Sequence, residues 1–401
     1  MKLLFFNHVG FIGGAERILL DVLASIRSHC PEIEIILIAG SAGALIDAAT
    51  DLGVNVIYLP MPASMSQLGD SHLKGDWKPL KTLKTLTQVA GSANALLRYL
   101  RRLRQTIQTI EPDLIHSNGV KAHALLSLLG RLNCPVVWHI QDFYSTRPIM
   151  AKVLRTLSRS TTSAIALSDA VKRDANTVIA PVPIDVIYPA VNHHYFREES
   201  VRSHVLRIGL VATFARWKGH DIFLQAAAQV MSELKDVSIQ FQIVGAPIYN
   251  TQGSQFSLAE LQSRVAQLGL DQVVRFVGFQ SDTASIYNHL DIVVHASTQP
   301  EPFGLVIAEA MAFGKAVIIA NAGGAAELVT DQHDAIALPP GDVNALAQAL
   351  IHLIQNPQKR QQLGQNARQT AIARFNSDRI GAALLQVYRD CGCVDRSLEK
   401  V

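Results

Sequence analysis

Short apolar runs alternate with helical patterns from one end of the chain to the other, and this alternation limits the possible folds more than any other feature. Runs at 3–6, 33–38, 54–59, 113–116, 136–139 and 163–167 have strand length. The first is followed by a glycine turn at 10–14 and by helical periodicity over 15–28. Strands alternating with helices predict βαβ units and a parallel sheet. The runs are continuously apolar, as strands covered on both faces are. Pro181, Pro183 and Pro189 break the pattern. A second series then begins, with strands at 207–211, 240–244, 273–277, 292–295 and 316–319 and a helix at 221–234. The fold class is therefore α/β, with two Rossmann-like parallel-sheet domains over 1–185 and 186–375. Residues 376–401 carry an amphipathic helix with Ile380, Leu384, Leu385 and Tyr388 on one side, expected to pack back toward the first domain. Ligands of open parallel sheets bind beyond the carboxyl ends of the strands, which places the site in a cleft between two facing sheets.

Composition removes several classes of function. Apolar residues make up 49% of the 401 and charged residues 17%, which excludes a disordered chain. A net charge of +3 gives no argument for nucleic-acid binding. The four cysteines are scattered and form no disulfide framework, and Cys391 and Cys393 read as tail residues, not zinc ligands. No apolar run reaches the ~18–20 residues of a membrane span. The first residues read as a strand and not a signal peptide, because Asn7, His8 and the Glu16-Arg17 pair interrupt the apolar run. The expected compartment is the cytoplasm. Neither a nucleophilic triad nor the ligand spacing of a metal site is present, so no metal is expected.

The segment 299–312 carries most of the chemistry. It follows the strand at 292–295, so it lies at a carboxyl strand end. Gly304 permits close backbone approach where a helix begins. The first turn of that helix, from Leu305, presents free N–H groups and a partial positive charge suited to a phosphate or a sugar hydroxyl. Glu309 lies in an otherwise apolar helix and needs donors, which ribose hydroxyls or a core cation would supply. Glu301, ahead of the helix, can accept from a second polyol. Lys218, at the end of the strand 207–211, is placed to neutralise a diphosphate leaving group. The loop 10–14 is not the G-x-G-x-x-G of a dinucleotide site, and Ala39-Gly40 ends the second strand without an acid for a ribose, which argues against a dehydrogenase. His116 and His139 end two strands of the first domain and are candidates to face the ligand. His8, Asn118 and Lys121 are weaker acceptor-side candidates, and His295 reads as structural.

Glu301 and Glu309, with seven residues between them in EPFGLVIAEAMA, resemble the signature of family 4 glycosyltransferases of the GT-B fold. Gly13-Gly14-Ala15-Glu16 resembles that family's amino-terminal glycine loop, and Trp217-Lys218-Gly219-His220 its phosphate-binding motif. Val244-Gly245, Arg275-Phe276-Val277-Gly278 and Gly323-Gly324-Ala325-Ala326-Glu327-Leu328 resemble its later strand ends and glycine turn. The resemblance implies a retaining enzyme that moves a sugar from a nucleotide-sugar donor to a hydroxyl acceptor without a bound metal or other cofactor. It implies donor contacts from Gly14, Arg216, Lys218, Val277, Glu301, Phe303, Gly304, Leu305 and Glu309. Gly13, His116 and Gln141 fall on the acceptor side, and Glu301, Lys218 and His139 take the catalytic roles. Two positions depart from the pattern. Thr213 stands where family members often carry an Arg, and Arg216 is the nearby candidate for that charge. Gln141-Asp142 stands where a His-Asp pair is usual, with His139 two residues earlier. The alternatives are a phosphorylase-like or disaccharide-forming enzyme of the same fold, or a sugar-nucleotide-binding protein without turnover.

Residues 78–108 stand apart. They hold Lys78, Lys81, Lys84, Arg98, Arg101, Arg102 and Arg104 and no acid, with Leu96, Leu97, Leu100 and Leu103 at helical spacing. This pattern is either a solvated basic helix or an interfacial one that meets anionic lipid. The second reading implies peripheral attachment to the inner face of the cell membrane and a lipid-linked or surface-glycan acceptor.

Overall fold

A computed structural model of the chain describes residues 1–62, 83–196, 204–247, 253–280 and 282–393. The chain forms two units, Met1–Ala190 with Ser377–Val401, and Val191–Asn376.

The first unit holds a parallel sheet of β1 (Lys2–Asn7), β2 (Glu34–Ala39), β3 (Asn55–Tyr58), β4 (Leu114–Asn118), β5 (Val136–Ile140), β6 (Ser163–Ala166) and β7 (Ile184–Val186). Their order is β3-β2-β1-β4-β5-β6-β7. Successive side chains point to opposite faces of a strand. Leu4, Phe6, Ile36, Ile38, Ile115 and Trp138 thus enter one core, and Leu3, Phe5, Ile35, Leu37, Leu114 and Val137 the other. Both faces are covered, which is why the strands are apolar at nearly every position. The first core takes Tyr99 and Leu103 from the helix Leu83–Ile110, and Ala151 and Leu154 from Pro148–Leu157. The second takes Leu19, Val22 and Leu23 from Gly14–His29, and Leu384 and Tyr388 from Asp378–Asp390. Gly381 permits that last contact. Its N–H donates to Ser25 Oγ at 2.8 Å, and a Cβ there would lie 2.6 Å from His29 Nδ1.

The second unit repeats the plan with β8 (Leu206–Val211), β9 (Ile239–Val244), β10 (Val274–Gly278), β11 (Ile292–His295), β12 (Ala316–Ala320) and β13 (Ile336–Leu338). Their order is β10-β9-β8-β11-β12-β13. Strand order reverses between β1 and β4 in the first unit and between β8 and β11 in the second. Crevices beyond the carboxyl ends of such pairs are where open α/β sheets bind ligands.

A boundary at 185 cuts through β7, which pairs with β6 in the register Ala164↔Ile184. Pro181 and Pro183 belong to the turn before this edge strand, and the first unit runs on to Ala190. Lys78, Lys81 and the side chain of Lys84 lie outside the described residues. Among the described residues, no helix is long and apolar enough to cross a membrane.

Candidate functional site

At the reversal point of the second unit, two strand-end loops are laced together. After β8 the chain makes a short 3-10 turn, Arg216–Lys218, and enters the helix His220–Glu233. Gly219 between them has φ 79°, and a Cβ there would sit 1.8 Å from the Ala296 carbonyl oxygen. Only glycine lets this turn rest on the loop after β11. The Thr298 N–H donates to the Trp217 carbonyl at 2.7 Å, closing the same contact. Lys218 Nζ then lies 2.7 and 2.8 Å from the two carboxylate oxygens of Glu301 and 4.1 Å from the centre of the Trp217 ring. Glu301 Oε2 also accepts from Ser297 Oγ at 3.0 Å and lies 3.3 Å from His295 Nε2. Its backbone is fixed as well. The Gly324 N–H donates to the Glu301 carbonyl at 2.7 Å, and a Cβ on Gly323 would come within 2.5 Å of that oxygen. Burial alone would raise the Glu301 pKa. The charge of Lys218 and the hydrogen bond from His295 outweigh it and hold the carboxyl well below the usual carboxylate range. A charge pair so sheltered interacts more strongly than one in water.

Glu309 is buried in the helix Leu305–Ala312. Its donors include protein hydroxyls, Tyr287 Oη at 2.8 Å and Thr283 Oγ1 at 3.5 Å, with Tyr195 Oη 2.7 Å from that threonine oxygen. Gly304, at φ 103°, turns the chain into this helix, so Leu305 opens it. Phe303 needs correction as a donor contact. Its side chain is buried edge-on against Phe375, with ring centres 5.9 Å apart, so only its backbone can meet a ligand. Val277 is half-buried in β10, and its carbonyl accepts from Gln280 Nε2 at 3.4 Å. Arg216 departs from expectation too. Its guanidinium binds Glu260 Oε1 at 2.7 Å and the Gly253 carbonyl at 3.1 Å, and stacks over Phe256 at 4.3 Å. It is committed to the helix Leu258–Gln267 and not to Glu301.

The first unit gathers a polar chain at its own reversal point. Gly13 caps the helix Gly14–His29, and its N–H donates to Glu16 Oε2 at 3.1 Å. Asn7 Nδ2 lies 3.4 Å from Glu16 Oε1, Asn118 Nδ2 donates to Asn7 Oδ1 at 2.9 Å, and Gln141 Nε2 donates to Asn118 Oδ1 at 2.7 Å. Asn7 and Asn118 are register partners of β1 and β4, which explains the link. Burial raises the Glu16 carboxyl above its ordinary value despite the N–H it accepts. Gly14 is exposed, and a Cβ there would meet nothing within 4 Å, so packing does not require glycine.

His116 and His139 are not on this surface. They are 0% and 2% exposed, inside the second core. Tyr388 Oη lies 2.7 Å from His116 Nδ1, and His116 Nε2 lies 3.1 Å from His139 Nδ1. Burial pushes His139 down to about 4 and His116 well below its ordinary value, so both imidazoles are neutral near pH 7. A catalytic contact from His139 and an acceptor contact from His116 are both corrected to structural roles. Their place at strand ends is legible in the sequence, but the closing of the carboxy-terminal helix over them is not. His8 is half-buried, with its pKa pushed down to about 3 by burial and by the charge of Lys121. Ser297, Thr283, Tyr287 and Asn7 were missed. Ser297 had a signal, lying between the strand end and Glu301. Tyr287 had none, because its helix bears no motif. Among the described residues, no group of three or more His, Cys, Asp or Glu is arranged to hold a metal ion.

Two family models tile this chain. Glycosyltransferase Family 4 matches residues 12–195, and Glycosyl transferases group 1 matches 195–370. The chain belongs to glycosyltransferase family 4. Among curated relatives of this chain, a D-inositol 3-phosphate glycosyltransferase of Corynebacterium kroppenstedtii is 31% identical over 224 residues, covering 52% of this chain and 49% of that protein. The aligned region thus spans about half the length of the curated relatives it matches. Among solved structures, Anabaena Alr3699/HepE in complex with UDP is 25% identical, with a TM-score of 0.78 over 97% of this chain and 100% of that one. The same protein in complex with UDP and glucose gives a TM-score of 0.76 at 25% identity, over 97% of this chain and 99% of that one. Sucrose-phosphate synthase from Thermosynechococcus elongatus, at 18% identity, covers 98% of this chain and 100% of its own with a TM-score of 0.75, a likeness of fold alone. The two Rossmann-like units are those of the GT-B fold.

Proposed function

We propose that this glycosyltransferase binds a nucleotide sugar, a UDP-hexose, on its second unit and moves the sugar to a hydroxyl with retention of configuration. The observation that carries the reading is the Lys218–Glu301 pair at the β8/β11 reversal point, 2.7 Å apart and sheltered from water. Lys218 supplies positive charge for the diphosphate, and Glu301 accepts from a hydroxyl of the transferred sugar. Glu309, held by Tyr287 and Thr283, accepts from the ribose. The free N–H groups at the start of Leu305–Ala312 suit an anionic oxygen. The acceptor oxygen attacks the anomeric carbon from the face the nucleotide leaves. The bond from that carbon to the phosphate oxygen breaks, and the acceptor proton passes to the departing phosphate. The protein contributes position and charge stabilisation, and no metal. The likeness to a protein crystallised with UDP and glucose supports the choice of donor.

We infer further that the acceptor is lipid-linked or part of a surface glycan, met at an anionic membrane. Arg98, Arg101, Arg102 and Arg104 are exposed on Leu83–Ile110, and Leu97 is 52% exposed beside them. The helix Pro148–Leu157, packed on the same core, exposes Ile149 and Val153 together with Lys152 and Arg155. Apolar and basic groups on one surface suit the headgroup region of an anionic bilayer. A thermal-shift screen of nucleotide sugars tests the donor, since a true donor stabilises the fold by mass action. Release of nucleoside diphosphate on adding acceptor, in the presence of EDTA, separates a metal-free transferase from a binding protein.

A further inference from the structure

We propose that Ser297 and His295 are positioning residues that hold Glu301 in place when the donor diphosphate draws Lys218 away from it. This rests on the donor-site reading above and adds two residues to it. Lys218 bridges both oxygens of Glu301, yet that reading asks the same ammonium to serve a diphosphate. A buried carboxylate that loses its cation must keep other donors or leave its place. Glu301 is 9% exposed, so water alone cannot replace Lys218. Ser297 and His295 are 1% and 5% exposed, and both converge on Oε2.

The hydrogen-bond arithmetic fixes how they act. Ser297 Oγ lies 3.0 Å from Glu301 Oε2 and 3.0 Å from His295 Nε2. A serine hydroxyl has one proton, and an ionised carboxylate can only accept. Ser297 therefore donates to Glu301, and the one Nε2–H of His295 is shared between Ser297 Oγ and Glu301 Oε2. The tautomer agrees with the other side of the ring, where the buried Nδ1 has no donor or acceptor among the described residues. Oε2 thus keeps its donors without Lys218. Oε1, which accepts from Lys218 at 2.7 Å, becomes the oxygen that meets the sugar. The Gly323–Gly324 turn fixes the backbone of Glu301, and the Ser–His pair fixes its side chain.

The role falls on the sugar half of the donor and not on the nucleotide half, and this difference supplies the test. Dissociation constants for UDP and for UDP-glucose are measured by calorimetry on wild type, Ser297→Ala, His295→Leu and the conservative Ser297→Thr and His295→Gln. Ser297→Ala and His295→Leu are expected to weaken UDP-glucose by about tenfold or more, the scale of a hydrogen bond to a charged group, and UDP by less than twofold. Ser297→Thr and His295→Gln, which keep a donor in reach, are expected to restore most of the loss. In turnover, kcat should fall more than KM for the acceptor rises. Equal weakening of both nucleotides, or no weakening of either, overturns the positioning role while leaving the donor site standing. Wild type that binds neither nucleotide overturns the donor-site reading, and this inference with it.

Discussion

Lys218 and Arg216 lie two residues apart in one 3-10 turn, yet they answer to different partners. Lys218 meets Glu301, and Arg216 meets Glu260, whose carboxyl is held down at about 2 by the Ser257 backbone N–H it accepts and by Arg216. If Arg216 supplies the second phosphate charge at a site where Thr213 replaces arginine, it must exchange Glu260 for phosphate. Arg216→Ala is then expected to lower turnover by ten- to a hundredfold, with Thr213→Ala near wild type, in steady-state assays. A severe Thr213→Ala defect beside a harmless Arg216→Ala reverses the assignment. Glu309 gives a second prediction at this scale. Glu309→Gln keeps its size and removes the charge, and is expected to weaken donor binding by about 1–3 kcal/mol in titration calorimetry. Tyr287→Phe, which removes one of its holding hydroxyls, should show a smaller effect of the same sign.

Among the elements, the strand-end loops matter most, and they divide what was legible in the sequence from what was not. The longer strands were readable because parallel strands covered on both faces leave continuous apolar runs. β7 and β13 were not, because three residues at a sheet edge show neither run nor period. Lys218 and Glu301 were readable as candidates because charge close to glycine after a strand end is conspicuous, and Glu309 because it is a carboxylate in an otherwise apolar helix. The fates of Phe303, His116 and His139 were not, since each is decided by a distant element: Phe375 for the first, and Tyr388 on the last helix for the histidines. The ion pair of Arg216 was not legible for a similar reason, as Glu260 lies 44 residues on. The basic helix Leu83–Ile110 carries its own prediction. Co-sedimentation with anionic vesicles is expected at low salt and should fall away as salt shortens the reach of its arginines, with no binding to neutral vesicles. Equal recovery in the supernatant under all conditions favours a soluble acceptor and a solvated helix.

The whole molecule responds to acid through its buried imidazoles. Burial pushes His139 down to about 4 in the first unit, and burial with the charge of Lys218 does the same to His220 in the second. Unfolded histidines titrate near 6.5, so below that pH the unfolded chain binds more protons than the folded one. Stability is therefore full above about 6.5 and declines as pH falls from there toward 4, by roughly 1–3 kcal/mol for each imidazole. His220 is wholly buried between Phe214 and Phe256, and neither ring nitrogen has a partner among the described residues. His220→Phe is expected to flatten the pH dependence of denaturant unfolding in the second unit, and an unchanged slope would assign that slope elsewhere. The central claim is that the Lys218–Glu301 site drives sugar transfer without a metal. Its most direct test is the release of nucleoside diphosphate from the nucleotide sugar that most raises the melting temperature, measured with acceptor and EDTA for wild type and Lys218→Ala. Acceptor-dependent release by wild type, reduced by about two to four powers of ten in Lys218→Ala, is the expected result. Equal rates in the two proteins, or release that stops with EDTA and returns with a divalent ion, would contradict it.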